Sequence, residues 1–585
     1  ERFNALDQRG QQLDVRCYEE YKNQGKRTYI PMPFVVSSRH YGLYLETSRR
    51  VSYDLAAARP DRWSFDVEVG GDGDPNLILF TAPDLFQITG LFSDYTGKAT
   101  MLPTWAFGPW MSGNEWNSQA RVLEEVEQTQ TYDIPATVLV IEAWADEVTF
   151  YIWNDAVYMP KAGGEFFRYG DFSFHADGKW PDPKAMIDHL HSQGIRCVLW
   201  QIPAFKKLEE SHAQQQADEA YLTEHGYMVR EADGSPYRIR PLWFKGGMVW
   251  DVTNPEARRW WLAKRAYLLD ELHVDGFKTD GGEHLWGYDL RFADGRTGAE
   301  LWNEYPLLYV KAYHEFARER RGEALTFSRA GFTGAQRYPA HWAGDENSTW
   351  DAFRHSILAG LSAGISGIPF WGWDIGGFSG EIPGAELYLR ATAMAAFCPI
   401  MQYHAEFNQH RLPRRDRTPW NIQERTGDEA VIPTFRYFAN VRMNLAPYLV
   451  EEARHGVESG QPMMRALALA FPDDPACREF PYHYLFGRSL LVAPVVEEGV
   501  RDCPVYLPAG TWYDLWTGQR FTGAQRVTYP TPVNVLPVFV REDARLPLFL
   551  AEGGRLGDSV GNQVHETPTH IFIAEGAVAH LARAR

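Results

Sequence analysis

The sequence predicts an α/β protein built on a (β/α)8 TIM barrel, preceded by antiparallel sheet and followed by a small β-sandwich. Three observations lead there. Between about residue 103 and residue 450, short apolar strand-like runs alternate with helical ones, the rhythm of parallel strands covered by helices. About eight such runs occur, the number that closes a barrel. On either side the helical runs give way to short alternating strands between Gly, Asp and Pro turns.

The elements follow in order. Residues 1–100 carry RTYIPMPFVVSS, YGLYLETS and NLILFTAP, read as antiparallel strands. Residues 101–450 form the barrel, opening on TWAFGPWMSG and the polar helix NSQARVLEEVEQTQTYD. The strand PATVLVIEAW, the helix PDPKAMIDHLHSQG and the strand IRCVLWQIP come next. After them stand the helix NPEARRWWLAKRAYLLDEL and the strand VDGFKTD. The later units are YPLLYVKAYHEFARERR, ALTFSRAG, AHWAGD, TWDAFRHSILAGLSAG, SGIPFWGWDIGG and PIMQYH. Residues 451–545 return to short strands (FPYHYLFGRSLLVAPVV, CPVYLPAGTWYDLWTG, VNVLPVFVRE), and 546–585 read as a tail or the start of a further β-domain.

Composition narrows the function. A chain of 585 residues exceeds one ordinary domain. Its formal net charge of -18 repels phosphate backbones and anionic lipid, so nucleic acid and membrane surfaces are poor partners. No apolar run approaches the roughly 20 residues that span a bilayer. Cys17, Cys197, Cys398, Cys477 and Cys503 are scattered without CxxC spacing, which disfavours a disulfide framework or structural zinc and points to a reducing, cytoplasmic setting. The chain opens on Glu1, so any targeting segment is out of view. Aromatics reach 14%, with 21 Trp; flat indoles suit sugar C–H faces as well as cores.

In a barrel, chemistry sits at the C-terminal strand ends. Those ends carry Trp110 and Glu115, Glu142 and Trp144, Asp280 and Glu283, Arg329, Trp342 and Asp345, Trp373 and Asp374, and His404. Carboxylates accept hydroxyl hydrogen bonds, indoles stack on sugars, and two acids can cleave a glycosidic bond. Within VDGFKTDGGEHLWG, alternation places Lys278 and Asp280 on one face. A metal hydrolase needs His and Asp at ligand spacing; His189, His191 and the Glu283–His284 pair come nearest and read as surface histidines, so no metal or other cofactor is expected.

Several motifs stand in one order: YGLYLET, PDPKAMIDHLHSQGI, DVTNPEA, GFKTDGGE, SRAGFTGAQ, HWAGD, LSAGISGIPFWGWDIGGF, PMMRALALAFPDDP, LFGRSLLVAPV and PVFVR. In this the chain resembles glycoside hydrolase family 31, the retaining α-glycosidases, over nearly its whole length. The resemblance implies an N-terminal β-sandwich that starts partway through, a barrel with an insertion near 205–250, and a C-terminal β-domain. It implies Asp280 as the nucleophile and Asp345 as the acid/base. It further implies sugar contacts from Glu142, Trp144, Lys278, Glu283, Arg329, Trp342, Trp373, Asp374 and His404. The activity implied is exo-acting hydrolysis of terminal α-linked sugars of an oligosaccharide, first of all α-glucosidase. α-Xylosidase, α-galactosidase or α-N-acetylgalactosaminidase, and transglycosylase are alternatives, and an inactive sugar-binding homologue is the reading from another class. Oligomeric state is not legible.

Two positions depart from the family's pattern. Glu142 in VIEAW stands where the family commonly has Asp on the sugar's 4-hydroxyl, and Gly281 stands where the α-xylosidase-like pattern has Phe. Gly281 either opens room beside the nucleophile or serves a tight turn.

Overall fold

The computed structural model describes residues 1–585 apart from 71–72, 208–209, 241–242 and 574–585. Eight parallel strands form the central sheet: β1 (Pro109–Ser112), β2 (Val138–Ile141), β3 (Arg196–Gln201), β4 (Gly276–Thr279), β5 (Leu325–Ser328), β6 (His341–Trp342), β7 (Trp371–Gly372) and β8 (Met401–Tyr403). Each pairs with its successor from β1 to β7, and β8 returns to pair with β1. A single parallel bridge from Asp374 to Gln402 joins the β7 and β8 ends, so the barrel is nearly closed. The strands are buried on both faces, which explains their unbroken apolar runs.

The covering helices start where their sequences say they should. Ser118 caps Gln119–Thr131, Asp182 caps Pro183–Ser192 and Asn254 caps Pro255–Ala263. Each side chain accepts free N–H groups of the first turn, and the N1 prolines pre-set the helical φ. The segment NPEARRWWLAKRAYLLDEL, read as one helix, is two: Pro255–Ala263 and Ala266–Asp270. The break falls at a buried cation pair. Lys264 turns inward to Asp218 at 2.9 Å, and Arg265 donates to Gln201 Oε1 at 2.6 Å and to the Trp261 carbonyl at 2.8 Å. Both residues keep right-handed helical φ and ψ, but the Arg265 N–H bonds the Leu262 carbonyl three residues back at 2.9 Å, and the α-helix is interrupted there.

Aromatic rings fill the barrel. Phe327 lies between Trp110 (centroids 5.0 Å apart) and Trp342 (4.8 Å), and the Lys278 ammonium stands 4.5 Å above the Trp342 ring. The N-terminal region holds two three-stranded antiparallel sheets, Gln11–Val15/Val51–Leu55/Trp63–Val67 and Phe34–Ser37/Tyr41–Glu46/Asn76–Thr81. After the barrel comes a six-stranded sheet that begins at Met464–Ala466 and ends at the edge strand Arg520–Thr522, with a separate pair Asp502–Leu507/Gln525–Pro530. Arg545–Leu548 pairs with His570–Ile573, and of the 546–585 tail residues 574–585 lie outside the described residues. All five cysteines are free and buried. No helix among the described residues is long and apolar enough to cross a membrane.

Two features outside the barrel reach its mouth. The 205–250 insertion is anchored by the short pair Ala204–Phe205/Met248–Val249 and carries the helix Ala213–His225 and Trp243. From the N-terminal region, residues 17–24 cross the opening. Cys17 N–H donates to Asn303 at 2.8 Å and Gln24 N–H to Glu346 at 2.8 Å.

Candidate active site

The strand ends converge on two cations. Arg329, just past β5, is 1% exposed and faces four carboxylates. Its Nε lies 3.2 Å from Asp280 Oδ1, its Nη1 3.1 Å from Asp345 Oδ2 and 3.0 Å from Glu19 Oε1, and its Nη2 bonds Glu283. Asp280, one residue past β4, also accepts from Trp200 Nε1 at 3.0 Å and from the Gly281 N–H at 2.8 Å. Two N–H donors and the guanidinium charge thus surround the Asp280 carboxyl.

Asp345 differs. Its one cationic contact shares a nitrogen with Glu19, and burial holds its carboxyl well above the ordinary range, aided by the charges of Asp280 and Glu19 against the pull of Arg329. Glu283 is fully buried, which raises its pKa, and its Oε2 has no hydrogen-bond partner among the described residues.

Lys278 organises the opposite side. Its ammonium bonds Glu142 Oε1, which also lies 2.9 Å from His404 Nε2, and Asn114 donates to Glu142 Oε2 at 2.9 Å. Burial alone would raise the Glu142 pKa, yet His404 and Lys278 pull it down to about 2. Asp374 accepts from Gln402 at 2.6 Å; burial raises its pKa, and its Oδ2 is unpartnered among the described residues.

These placements amend several expectations. Lys278 and Asp280 share a region, but the direct partner of Lys278 is Glu142 and that of Asp280 is Arg329. Trp144, expected at the sugar, is fully buried, and its indole N–H donates to the Trp200 carbonyl at 3.0 Å. Trp342 is a floor beneath Lys278, and Trp373 stacks on Phe353 at 5.2 Å. Glu115 accepts the backbone N–H groups of Asn408 and His410 and so holds the loop after β8. His284, expected at the surface, is 6% exposed with its Nε2 3.2 Å from Glu19 Oε2. Glu19, Glu283 and His284 each offer a donor atom within 4.8 Å of the others. Two of the three already bind the Arg329 guanidinium, so the cationic place there belongs to this arginine.

The sequence allows open room or a tight turn at Gly281, and both features are present. It has φ +76°, a backbone that favours glycine, while an added Cβ would meet the Trp243 ring at 3.4 Å and Pro203 at 3.5 Å in ordinary contact, and the residue lines a small cavity with Pro203, Trp243 and His284. Trp243 of the insertion stands beside it, and its ring lies 4.9 Å from the Arg329 guanidinium. Glu19, Asn114, Trp200, Trp243 and Gln402 were not singled out from sequence. Trp200 and Gln402 sit on β3 and β8, where the strand-end rule could have found them; Glu19 in YEEYKN carries no such signal.

Comparison with known proteins decides the kinship. Residues 99–452 match the model of the glycosyl hydrolases family 31 TIM-barrel domain. The chain belongs to this family. Residues 1–54 match the glycosyl hydrolase 31 N-terminal galactose mutarotase-like domain, and 460–545 the family 31 C-terminal domain. Among family 31 relatives, the 1,3-α-isomaltosidase of Kribbella flavida is 48% identical over 92% of this chain and 75% of its own length. The isomaltosyltransferase of Sporosarcina globispora is 43% identical over 96% of this chain; the chain spans 52% of that relative's length. The cycloalternan-degrading enzyme from Trueperella pyogenes, solved in complex with a covalent intermediate, superposes with a TM-score of 0.91 at 45% identity, covering 93% of this chain and 75% of that one.

Proposed function

We propose that this chain is a retaining α-glycosidase that cleaves α-linked glucosaccharides through a covalent β-glycosyl-enzyme. The observation that carries the reading is the unequal treatment of two carboxyls on one arginine. Asp280 receives an ion pair, an indole N–H and a backbone N–H, which suits an ionised nucleophile. Asp345 shares its cation and holds its proton, which suits a general acid. Asp280 attacks the anomeric carbon while Asp345 protonates the departing oxygen. Asp345 then takes a proton from the incoming water or sugar hydroxyl, and that oxygen displaces Asp280. Glu142, His404 and Asp374 surround the sugar hydroxyls opposite, with Lys278 fixing Glu142.

The relatives sharpen the donor. Their names carry isomaltosyl groups, so the unit transferred is proposed to be isomaltosyl, glucose α-1,6-linked to glucose, with water or a saccharide as acceptor. A panel of p-nitrophenyl α-isomaltoside, α-glucoside, α-xyloside and α-N-acetylgalactosaminide tests this. Release is expected first from the isomaltoside, with α-configured product at early times; β-product, or equal rates on glucoside and xyloside, would sink the respective part of the reading.

A further inference from the structure

Glu19 belongs to the crossing segment of the N-terminal region, yet it is 6% exposed and its carboxylate points into the catalytic charge cluster. Arg329 Nη1 is claimed twice, by Glu19 Oε1 at 3.0 Å and by Asp345 Oδ2 at 3.1 Å. The second Glu19 oxygen is fixed by His284 Nε2 at 3.2 Å, so the carboxylate cannot swing away. We propose that Glu19 is a positioning residue for the acid/base: it competes with Asp345 for one guanidinium nitrogen and thereby keeps Asp345 able to carry a proton.

The reasoning is electrostatic. An arginine nitrogen given wholly to Asp345 stabilises its carboxylate and lowers its readiness to donate. Dividing that nitrogen with a permanently ionised neighbour has the opposite effect. Glu19 is such a neighbour: burial opposes its charge, but Arg329 and His284 bring its pKa down to about 2. The other groups acting on Asp345 are Asp280 and Lys278. The Tyr21 and Tyr29 hydroxyls feel the Asp345 charge. Glu283 and His284 complete the shell around Arg329 and Glu19. Of the carboxylates on Arg329, only Glu19 comes from outside the strand ends of the barrel. Trp243 of the insertion, its ring 4.9 Å from the guanidinium, adds no competing acceptor.

The inference rests on the glycosidase reading, and the test separates the two. The pH profile of kcat/KM on a substrate with a poor leaving group is measured for wild type, Glu19→Gln, Glu19→Asp and Gln24→Ala. Gln24 ties the same segment together through the Tyr18 carbonyl and the Glu20 N–H, and it carries no charge. Glu19→Gln is expected to move the alkaline limb about one pH unit lower, since both the lost charge and the freed Nη1 favour ionised Asp345. Glu19→Asp keeps the charge but draws it back from Nη1, so its limb should move the same way by less; Gln24→Ala should leave it in place. A Glu19→Gln limb within about 0.2 unit of wild type overturns the proposal, and so does an equal displacement in Gln24→Ala. Should Glu19→Gln not fold, a Glu19→Asp limb displaced to lower pH with Gln24→Ala unmoved upholds it, and a Glu19→Asp limb at the wild-type position overturns it. If the wild type cleaves no α-glycoside, the functional reading falls instead.

Discussion

The two cations at the barrel mouth are used in opposite ways. Lys278 has one close carboxylate, Glu142, and His404 and Asn114 help it; the result is an acid ionised down to about pH 2. Arg329 is spread over Glu19, Asp280, Glu283 and Asp345, and there Glu19 is held ionised while burial raises the carboxyls of Glu283 and Asp345. A surplus of positive partners yields a fixed anion, which suits hydroxyl binding. A deficit yields a proton store, which suits the proposed acid catalysis. The same side-chain type serves both, so the difference lies in the ratio of cations to carboxylates.

The comparison breaks most severely at Asp280. Asp280→Ala should lower turnover by at least about 10⁴-fold, with partial recovery in azide, which replaces the nucleophile; near-normal turnover would remove Asp280 from that role. Next comes Asp345→Ala. General acid help is worth about 10²–10⁴-fold, so the loss should be large on poor leaving groups and small on activated aryl glycosides. Equal losses on both would contradict the proton-holding half of the comparison.

Glu346, the very next residue, sharpens it as a carboxyl with no ion pair among the described residues. Burial lifts its pKa to about 7, opposed only by the Gln24 N–H. Below about pH 4.5 it is neutral folded and unfolded, so its contribution there is unpenalised. Between about pH 4.5 and 7 the unfolded chain ionises while the folded one holds the proton, so a penalty grows to about 3 kcal/mol by pH 7 and stays level above it. Glu346→Gln should therefore match wild type in denaturant titrations at pH 4 and exceed it at pH 8; the reverse order would refute the sign. Smallest is Glu142→Asp. Shortening the chain by one methylene pulls the carboxylate from Lys278 and His404, with about a tenfold loss in kcat/KM expected and little change in the alkaline limb. A limb shift as large as that of Glu19→Gln would mean the two sides are not separate.

Much of this was readable in sequence because strand ends are local. Asp280, Arg329, Asp345, Asp374 and His404 each follow an apolar run, and the barrel rule brings such ends together. The rest depended on partners distant along the chain. Lys278 and Asp280 alternate correctly, but nothing local says that one meets Glu142 and the other Arg329. The glycine pair at 281–282 announced a turn, while the ring that stands beside it, Trp243, arrives from the insertion. Trp144 looked like a sugar platform, but being apolar and flat does not distinguish a wall from a core residue. His284 looked exposed because its burial comes from a segment over 250 residues earlier.

The crossing segment also sets an order of assembly. Gln24 meets Glu346 across 322 residues, and Cys17 meets Asn303 across 286. Contacts closing loops of that length form late, since their entropy is lost before any contact is gained. A growing chain therefore emerges with Glu19 first and waits for Arg329 until five barrel strands have been made. Its catalytic charges are balanced only when the two ends of that long loop meet, so an unfinished barrel carries the carboxyls without the means to tell them apart.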